Sequence, residues 1–169
     1  LSTGVIGARL PVGRVTDGLT RLVPALRDDA DALLAAANAL RTTDSTAKSA
    51  TTTVELPATD GTPVTVRVSG VAKGVGMIHP GMATMLAILM TDATADPETL
   101  EGLLRPAAAR TWNQLTVDGD TSTNDTVFLL ASGAAGAARV VAGSPAATLL
   151  GEAVTAVARD LARPQAADG

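Results

Sequence analysis

Two alternating runs on either side of an Asp60-Gly61 pair constrain the fold of this chain most strongly. In residues 52–56 and 64–68, apolar side chains recur at every second position, which is typical of a strand with one face against a core. An Asp-Gly pair between such runs favours a tight turn, because glycine adopts the positive φ angles that the turn needs. The pattern predicts a β-hairpin with the three valines of the second run on one face.

Four segments show helical signals, which are apolar residues near the helical period, strong helix formers or acidic starts. Pro106, inside the third segment, is expected to kink or split the helix, because proline removes a backbone donor. The fourth segment places Leu150, Val154, Val157 and Leu161 on one apolar stripe. The predicted helices are residues 11–26, 30–40, 96 to about 115, and a last helix from Ser144-Pro145.

The segments between these helices are less uniform. Residues 41–53 read as a polar loop entering a strand, and residues 70–81 as a glycine-punctuated loop. Residues 82–90 are apolar except for Thr84, and their periodicity does not decide between a buried strand and a helix. Residues 127–131 predict a short strand. The whole chain is expected to form one α/β domain without an internal repeat.

Composition excludes several functions for the 169-residue chain. It has no cysteine and one histidine, which rules out a disulfide framework and a thiolate zinc site. A net charge of −4 and only two aromatic residues argue against a nucleic-acid partner, which needs a basic surface and stacking platforms. No apolar run approaches the ~20 residues of a membrane span. We therefore expect no metal, no cofactor and no membrane partner, and a cytoplasmic location.

Two loop motifs fail as familiar binding sites. Lys73-Gly74-Val75-Gly76 lacks the third glycine of a dinucleotide fingerprint, whose place His79 takes. Residues 118–125 are rich in aspartate, but an EF-hand beginning at Asp118 would need other residues than Thr123 and Leu129 at two fixed positions. An Asx-rich turn and a loop that supports an active site both remain open for this segment.

Thr84 is the one polar residue of the apolar stretch 82–90. It could be a core threonine bonded to the backbone. It could also be a nucleophile that uses its own α-amine as base, with a pKa near ~7.7–8.0. That amine exists only if the chain is cut between Ala83 and Thr84, and the glycine-rich loop before it would allow the strained peptide that an N→O acyl shift requires.

Four sequence blocks resemble one known family. Residues 73–86, Lys-Gly-Val-Gly-Met-Ile-His-Pro-Gly-Met-Ala-Thr-Met-Leu, closely resemble the self-cleavage region of ornithine acetyltransferases, the bifunctional glutamate N-acetyltransferases of arginine biosynthesis. Residues 2–7 resemble the family's oxyanion segment, and Thr42-Thr43-Asp44 its substrate-contacting segment. Residues 118–126 match its Asp-Gly-x-x-Ser-x-Asn-Asp-Thr signature. Four blocks in the right order are more specific than any single one.

The resemblance implies a role for each matching residue. Thr84 would be the autoproteolysis residue and the acetyl-accepting nucleophile, with the cut directly after Ala83. Thr3 and Gly4 would stabilise the oxyanion. The substrate-binding residues would be Thr42, Lys73 and Thr84, with Lys73 facing a substrate carboxylate. An acetyl group would pass from N-acetylornithine to the threonine and then to glutamate, without a cofactor.

The resemblance also implies a fold and an assembly. Family members form a layered αββα sandwich and are much longer than this chain, so residues 1–169 are expected to be the central part of such a domain. The chain would assemble with its own cleaved other half and as a homo-oligomer.

Two alternatives to the transferase stay open from the residues themselves. An N-terminal-nucleophile amidase or aminopeptidase would use the same Thr84 chemistry but pass the acyl group to water. A non-catalytic domain would hold Thr84 merely as a core residue.

Overall fold

The computed structural model describes residues 7–79, 82–83, 85–122 and 124–168. Within these ranges two helices precede five strands, and a helix, a strand and a final helix follow. In chain order the elements are α1 (Val12–Leu22), α2 (Ala30–Leu40), β1 (Lys48–Pro57), β2 (Pro63–Lys73), β3 (Ile78–His79), β4 (Met82–Ala83), β5 (Leu86–Thr91), α3 (Pro97–Ala109), β6 (Thr126–Ala131) and α4 (Pro145–Asp168), with 3₁₀ turns at Val23–Ala25 and Trp112–Gln114.

The predicted hairpin is confirmed and is longer than expected. Strands β1 and β2 pair antiparallel, with Val54 opposite Val66, and Gly61 has the positive φ of 85° that the turn residues indicated. The expected polar loop over 41–53 therefore ends at Lys48, and the expected loop over 70–81 starts only after Lys73. Position 70, inside β2, has no room for a side chain, because a Cβ there would lie 2.9 Å from Leu161 Cδ1. This explains why a glycine occupies the interior of the strand.

The ambiguous segment 82–90 contributes to two strands, with Met82–Ala83 in the short β4 and residues 86–90 in β5. Strand β5 pairs antiparallel with β2 and parallel with β6, which places it inside a four-stranded sheet of order β1-β2-β5-β6. Its burial alternates, with Ala87, Leu89 and Thr91 turned into the core. An interior strand is apolar on both faces, which is why its sequence carries no clean alternation.

The helices agree with the sequence pattern except at two ends. Helix α2 has the predicted bounds, and Asp29 caps it by accepting a hydrogen bond from the Ala32 amide at 2.7 Å. The first helix ends at Leu22 and continues only as a 3₁₀ turn. The expected split at Pro106 is wrong, because α3 continues through it and ends at Ala109, earlier than predicted; packing against α4 outweighs one lost backbone bond.

The core lies between α4 and one face of the sheet. The predicted stripe is confirmed, since its four members, Leu150, Val154, Val157 and Leu161, are at most 1% exposed. They share this core with Val66, Val68 and Leu89 from the sheet. A helical layer on a β layer is the layered α/β class that the sequence predicted. None of the described helices is both long and apolar enough to cross a membrane.

Candidate functional site

The bond between Ala83 and Thr84 lies beside a short two-stranded hairpin. In it, Ile78 of β3 is opposite Ala83 of β4, and His79 is opposite Met82. Thr84, Thr3 and Gly4 lie outside the described residues, so their assigned roles stay predictions.

Asp44 joins the two segments that carry the predicted substrate-binding residues. Its Oδ1 accepts a hydrogen bond from the Gly74 amide at 2.7 Å, and its Oδ2 accepts one from the Thr42 amide at 3.3 Å. The Asp44 side chain is fully buried. A single carboxylate therefore brings the Thr42 segment and the Lys73-Gly74 segment together, two segments that the sequence assigned to one substrate.

The charge of Asp44 is stabilised by its donors. Burial works against the ionised form, but the hydrogen bonds from Lys48, Gly74 and Thr42 outweigh burial and hold the pKa of Asp44 below its ordinary value. The carboxylate is thus ionised near neutral pH and serves as an acceptor for all three donors.

A buried ion-pair network extends from Asp44 to the end of α4. Lys48 Nζ is 2.7 Å from Asp44 Oδ1 and 2.6 Å from Asp168 Oδ2, and the Lys48 side chain is completely buried. Asp168 also accepts hydrogen bonds from the backbone and hydroxyl of Ser45. The bonds from Lys48 and Ser45 lower the pKa of Asp168 to about 2. The last turn of α4 is thereby fixed against the Thr42-Thr43-Asp44 segment.

Lys73 is held by its backbone, while its ammonium makes no ion pair in the part of the chain that the structure describes. The Lys73 carbonyl accepts a hydrogen bond at 2.9 Å from Gln165, whose own side-chain oxygen accepts one from the Trp112 indole at 2.7 Å. Lys73 is only 7% exposed. A nearly buried cation that no carboxylate of the described residues pairs with is suited to bind a substrate carboxylate.

The aspartate-rich loop 118–126 contacts the hairpin. Asp118 accepts hydrogen bonds from the amides of Met77 at 2.6 Å and Ile78 at 3.1 Å, and Asp125 accepts one from the Met85 amide at 2.9 Å. The bond from Met77 contributes most to lowering the pKa of Asp118. The Asx-turn interpretation is confirmed, because Asp118 also accepts a hydrogen bond from the Asp120 amide. The interpretation of this loop as support for an active site stays a prediction.

The single histidine, His79, lies in the short strand β3 rather than in the turn that its Pro-Gly neighbours would favour. Its Nδ1 lies 3.4 Å from the Thr116 hydroxyl, and the residue is exposed. Among the described residues no group of three or more His, Asp or Glu side chains is placed to hold a metal ion.

Sequence reasoning missed the roles of Lys48, Gln165 and Asp168. One signal for Lys48 was present, because it occupies the same alternation as the apolar residues Val54 and Leu56 on β1. A lysine on the inward face of a strand needs a buried partner. No comparable local signal marks Gln165 or Asp168 on α4.

Comparison with known proteins places the chain in a family. The model of the ArgJ family matches residues 1–169. This chain belongs to the ArgJ family. Relatives named "arginine biosynthesis bifunctional protein ArgJ, mitochondrial" from Aspergillus terreus and Sordaria macrospora are each 44% identical over the whole chain. The chain spans 37% and 36% of the length of these two ArgJ proteins.

Among solved structures, the chain is similar to the crystal structure of the arginine biosynthesis bifunctional protein ArgJ from Bacillus halodurans. The sequences are 39% identical with a TM-score of 0.47, and the match covers 48% of this chain and 38% of that one.

The expected cytoplasmic location is wrong. The ArgJ relatives from Aspergillus terreus, Sordaria macrospora and Neurospora crassa are all named mitochondrial. The expectation relied on the absence of cysteine, which reports on redox conditions and does not separate one reducing compartment from another.

Proposed function

We propose that the full-length protein transfers an acetyl group from N-acetylornithine to glutamate in arginine biosynthesis. The observation that carries this proposal is the Asp44 carboxylate, which binds the amides of both Thr42 and Gly74. The two segments assigned to substrate binding are therefore neighbours, and the second carries Lys73, whose ammonium makes no ion pair within the described residues. Membership of the ArgJ family supports the same reaction.

The proposed enzyme first cuts its own chain. Thr84 Oγ attacks the carbonyl carbon of Ala83, the Ala83–Thr84 C–N bond breaks, and the released nitrogen takes the hydroxyl proton. The resulting ester is hydrolysed by water, which leaves a carboxylate on Ala83 and restores the Thr84 hydroxyl. The product is a threonine with a free α-amine, a base directly beside its own nucleophile.

Acetyl transfer then follows in two steps. The α-amine of Thr84 takes the Oγ proton while Oγ attacks the acetyl carbonyl of N-acetylornithine, and the amide C–N bond breaks to release ornithine with that proton. The amine of glutamate attacks the acetyl ester, N-acetylglutamate leaves, and Oγ regains a proton. In this scheme Thr3 and Gly4 stabilise the oxyanion of each step, while Lys73 and Thr42 bind the amino-acid part of the substrate.

The sheet supports the proposal that the two halves stay together after the cut. Strand β2 precedes the Ala83–Thr84 bond and β5 follows it, yet the two strands pair along six residues from Val68–Thr91 to Lys73–Leu86. Helix α4 packs on β1 and β2 from the other half. Cutting one peptide bond leaves this shared sheet and core unchanged.

A half-reaction assay on the full-length protein tests the proposed transfer. With N-acetylornithine alone, intact-mass analysis should show one acetyl group on the half that begins at Thr84, with one equivalent of ornithine released. Adding glutamate should remove that acetyl group and form N-acetylglutamate. Steady release of free acetate regardless of glutamate would contradict the transferase and indicate the amidase instead.

A further inference from the structure

Loop 118–126 binds the backbone on both sides of the Ala83–Thr84 bond, and we propose that Asp118 and Asp125 are positioning residues for self-cleavage at this bond. The inference rests on the proposed function, which requires the cut, and adds to it the residues that prepare the scissile segment. Neither carboxylate is a nucleophile or base in this scheme; each acts by fixing backbone.

Asp118 fixes the segment before the bond. Its Oδ2 accepts from the Met77 amide at 2.6 Å and its Oδ1 from the Ile78 amide at 3.1 Å, while the Val117 amide donates to the Ile78 carbonyl at 2.8 Å. Met77 has a φ of 56°, a left-handed conformation that costs free energy for a non-glycine residue. Since Ile78 is the partner of Ala83 in the hairpin, Asp118 fixes the strand against which Ala83 lies.

Asp125 fixes the segment after the bond. Its Oδ1 accepts from the Met85 amide at 2.9 Å, and the next residue, Thr126, donates its own amide to the Met85 carbonyl at 3.2 Å. The Met85 amide belongs to the peptide group that joins it to Thr84. Met85 is only 4% exposed, so the residue that precedes β5 is held both by these bonds and by burial.

Asp118 and Asp125 belong to one short loop but bind distant backbone, and this distinguishes them from ordinary turn caps. A cap bonds residues close in sequence, whereas Asp118 and Asp125 bond amides 40 or 41 positions away. The N→O shift needs Thr84 Oγ close to the Ala83 carbonyl carbon, a geometry rarely reached in a free chain. Fixing both flanks through one loop restricts the segment between them, which raises the effective concentration of the hydroxyl at that carbon.

The rate of self-cleavage in freshly purified full-length protein tests the inference. Mass spectrometry would follow the uncut chain over time in the wild type, Asp125→Ala and Asp118→Asn. Asparagine has one acceptor oxygen, so it cannot serve the donors that reach both oxygens of Asp118. We expect both variants to cut about ten- to hundredfold more slowly. Asp120→Asn is the matched control in the same loop, because its side chain makes no bond in the described residues, and it should cut at the wild-type rate.

Two further measurements separate positioning from a general loss of structure. Asp125→Asn keeps an acceptor for the Met85 amide, so its rate should lie between those of Asp125→Ala and the wild type. Hydroxylamine cleaves an ester once it has formed, so it should leave the slow variants slow if positioning limits ester formation.

Each outcome decides a different statement. Variants that cut as fast as a cutting wild type, or variants that hydroxylamine restores fully, would overturn the positioning role and leave the proposed function standing. A wild type that stays uncut would overturn the proposed function itself. A cut wild type that transfers no acetyl group would overturn the transfer and leave the positioning role intact.

Discussion

At the residue scale, the Asp44 carboxylate links the parts of the candidate site. It accepts hydrogen bonds from the amides of Thr42 and Gly74 and forms an ion pair with Lys48. The Asp44 side chain is fully buried. A neutral side chain of the same size could not offer these three donors a full negative charge. Removing the charge therefore leaves at least one buried donor without its partner.

Asp44→Asn is expected to destabilise the protein by about 1–3 kcal/mol, the cost of leaving a buried donor unsatisfied. Asparagine keeps one acceptor oxygen, but its NH₂ group must face either Lys48 or a backbone amide. Urea unfolding of the full-length protein measures the change. Asp17→Asn, on the exposed α1, is the control and should leave the midpoint unchanged. Equal midpoints for both variants would show that the carboxylate does not hold the segments together.

Asp168 makes the stability depend on pH. Its pKa in the folded protein is about 2, below the ordinary value of 3.8. A carboxyl group with a lowered folded pKa contributes stability above the unfolded value, and this contribution is lost as the pH falls. We expect the Tm to drop between about pH 4 and pH 2 and the drop to be shallower in Asp168→Asn. Asp160→Asn, on the exposed side of α4, should keep the wild-type slope; an unchanged slope in Asp168→Asn would contradict the assignment.

At the scale of elements, α4 and β2 meet without space between them. A Cβ at Gly70 would lie 2.9 Å from Leu161 Cδ1 and 3.1 Å from Val157 Cγ1. These are buried core atoms of α4, which have little room to move. The close approach of the helix to the sheet therefore depends on the absence of a side chain at this one position.

Gly70→Ala is expected to destabilise the protein by about 1–3 kcal/mol through overpacking. Gly102→Ala is the opposite case, because a Cβ on this residue of α3 meets nothing within 4 Å. It should stabilise by up to about 1 kcal/mol through helix propensity. Thermal unfolding of both variants checks the pair. A Gly70→Ala variant as stable as the wild type would show that α4 does not approach β2 so closely.

The sequence predicted elements well where the signal is local. The hairpin, α2 and the stripe of α4 follow from alternation, capping and helical period. The strand over 86–91 could not be separated from a helix because its neighbours β2 and β6, which decide it, lie elsewhere in the sequence. The split considered at Pro106 does not occur for the same reason, since packing against α4 outweighs a local preference.

For the candidate site, too, local sequence patterns indicated some residues but not the long-range contacts that support them. The resemblance indicated Thr42 and Lys73 as partners in substrate binding, and the structure places their segments on one carboxylate. The supporting contacts could not be predicted, because the paired residues are far apart in sequence. Lys48 and Asp168 are separated by 120 positions, and Gln165 is 92 positions from Lys73, whose carbonyl it binds. Such contacts depend on how α4 returns across the sheet, which no local pattern encodes.

At the scale of the whole molecule, the Ala83–Thr84 bond divides the chain but not the core. Residues before the bond supply β1 and β2, and residues after it supply β5, β6 and α4. The core cluster contains buried residues from both sides, among them Val66 and Val68 before the bond and Val154 and Leu161 after it. Burial of this kind stabilises association as it stabilises folding.

The two halves of the cut full-length protein should therefore elute as one species from a size-exclusion column in native buffer and separate only in denaturant. The paired strands β2 and β5 and the buried contacts of α4 would each have to be lost for the halves to part. Fully separate elution in native buffer would contradict the shared core as the link between them.

The central claim is that Thr84 becomes a nucleophile with its own α-amine because the chain cuts itself before it. The most direct measurement is the intact mass of freshly expressed full-length protein, beside that of Thr84→Ala. The account predicts two polypeptides from the wild type, one beginning at Thr84, and a single uncut chain from the variant. A wild type that remains whole, or a Thr84→Ala variant cut at the same bond, would contradict it.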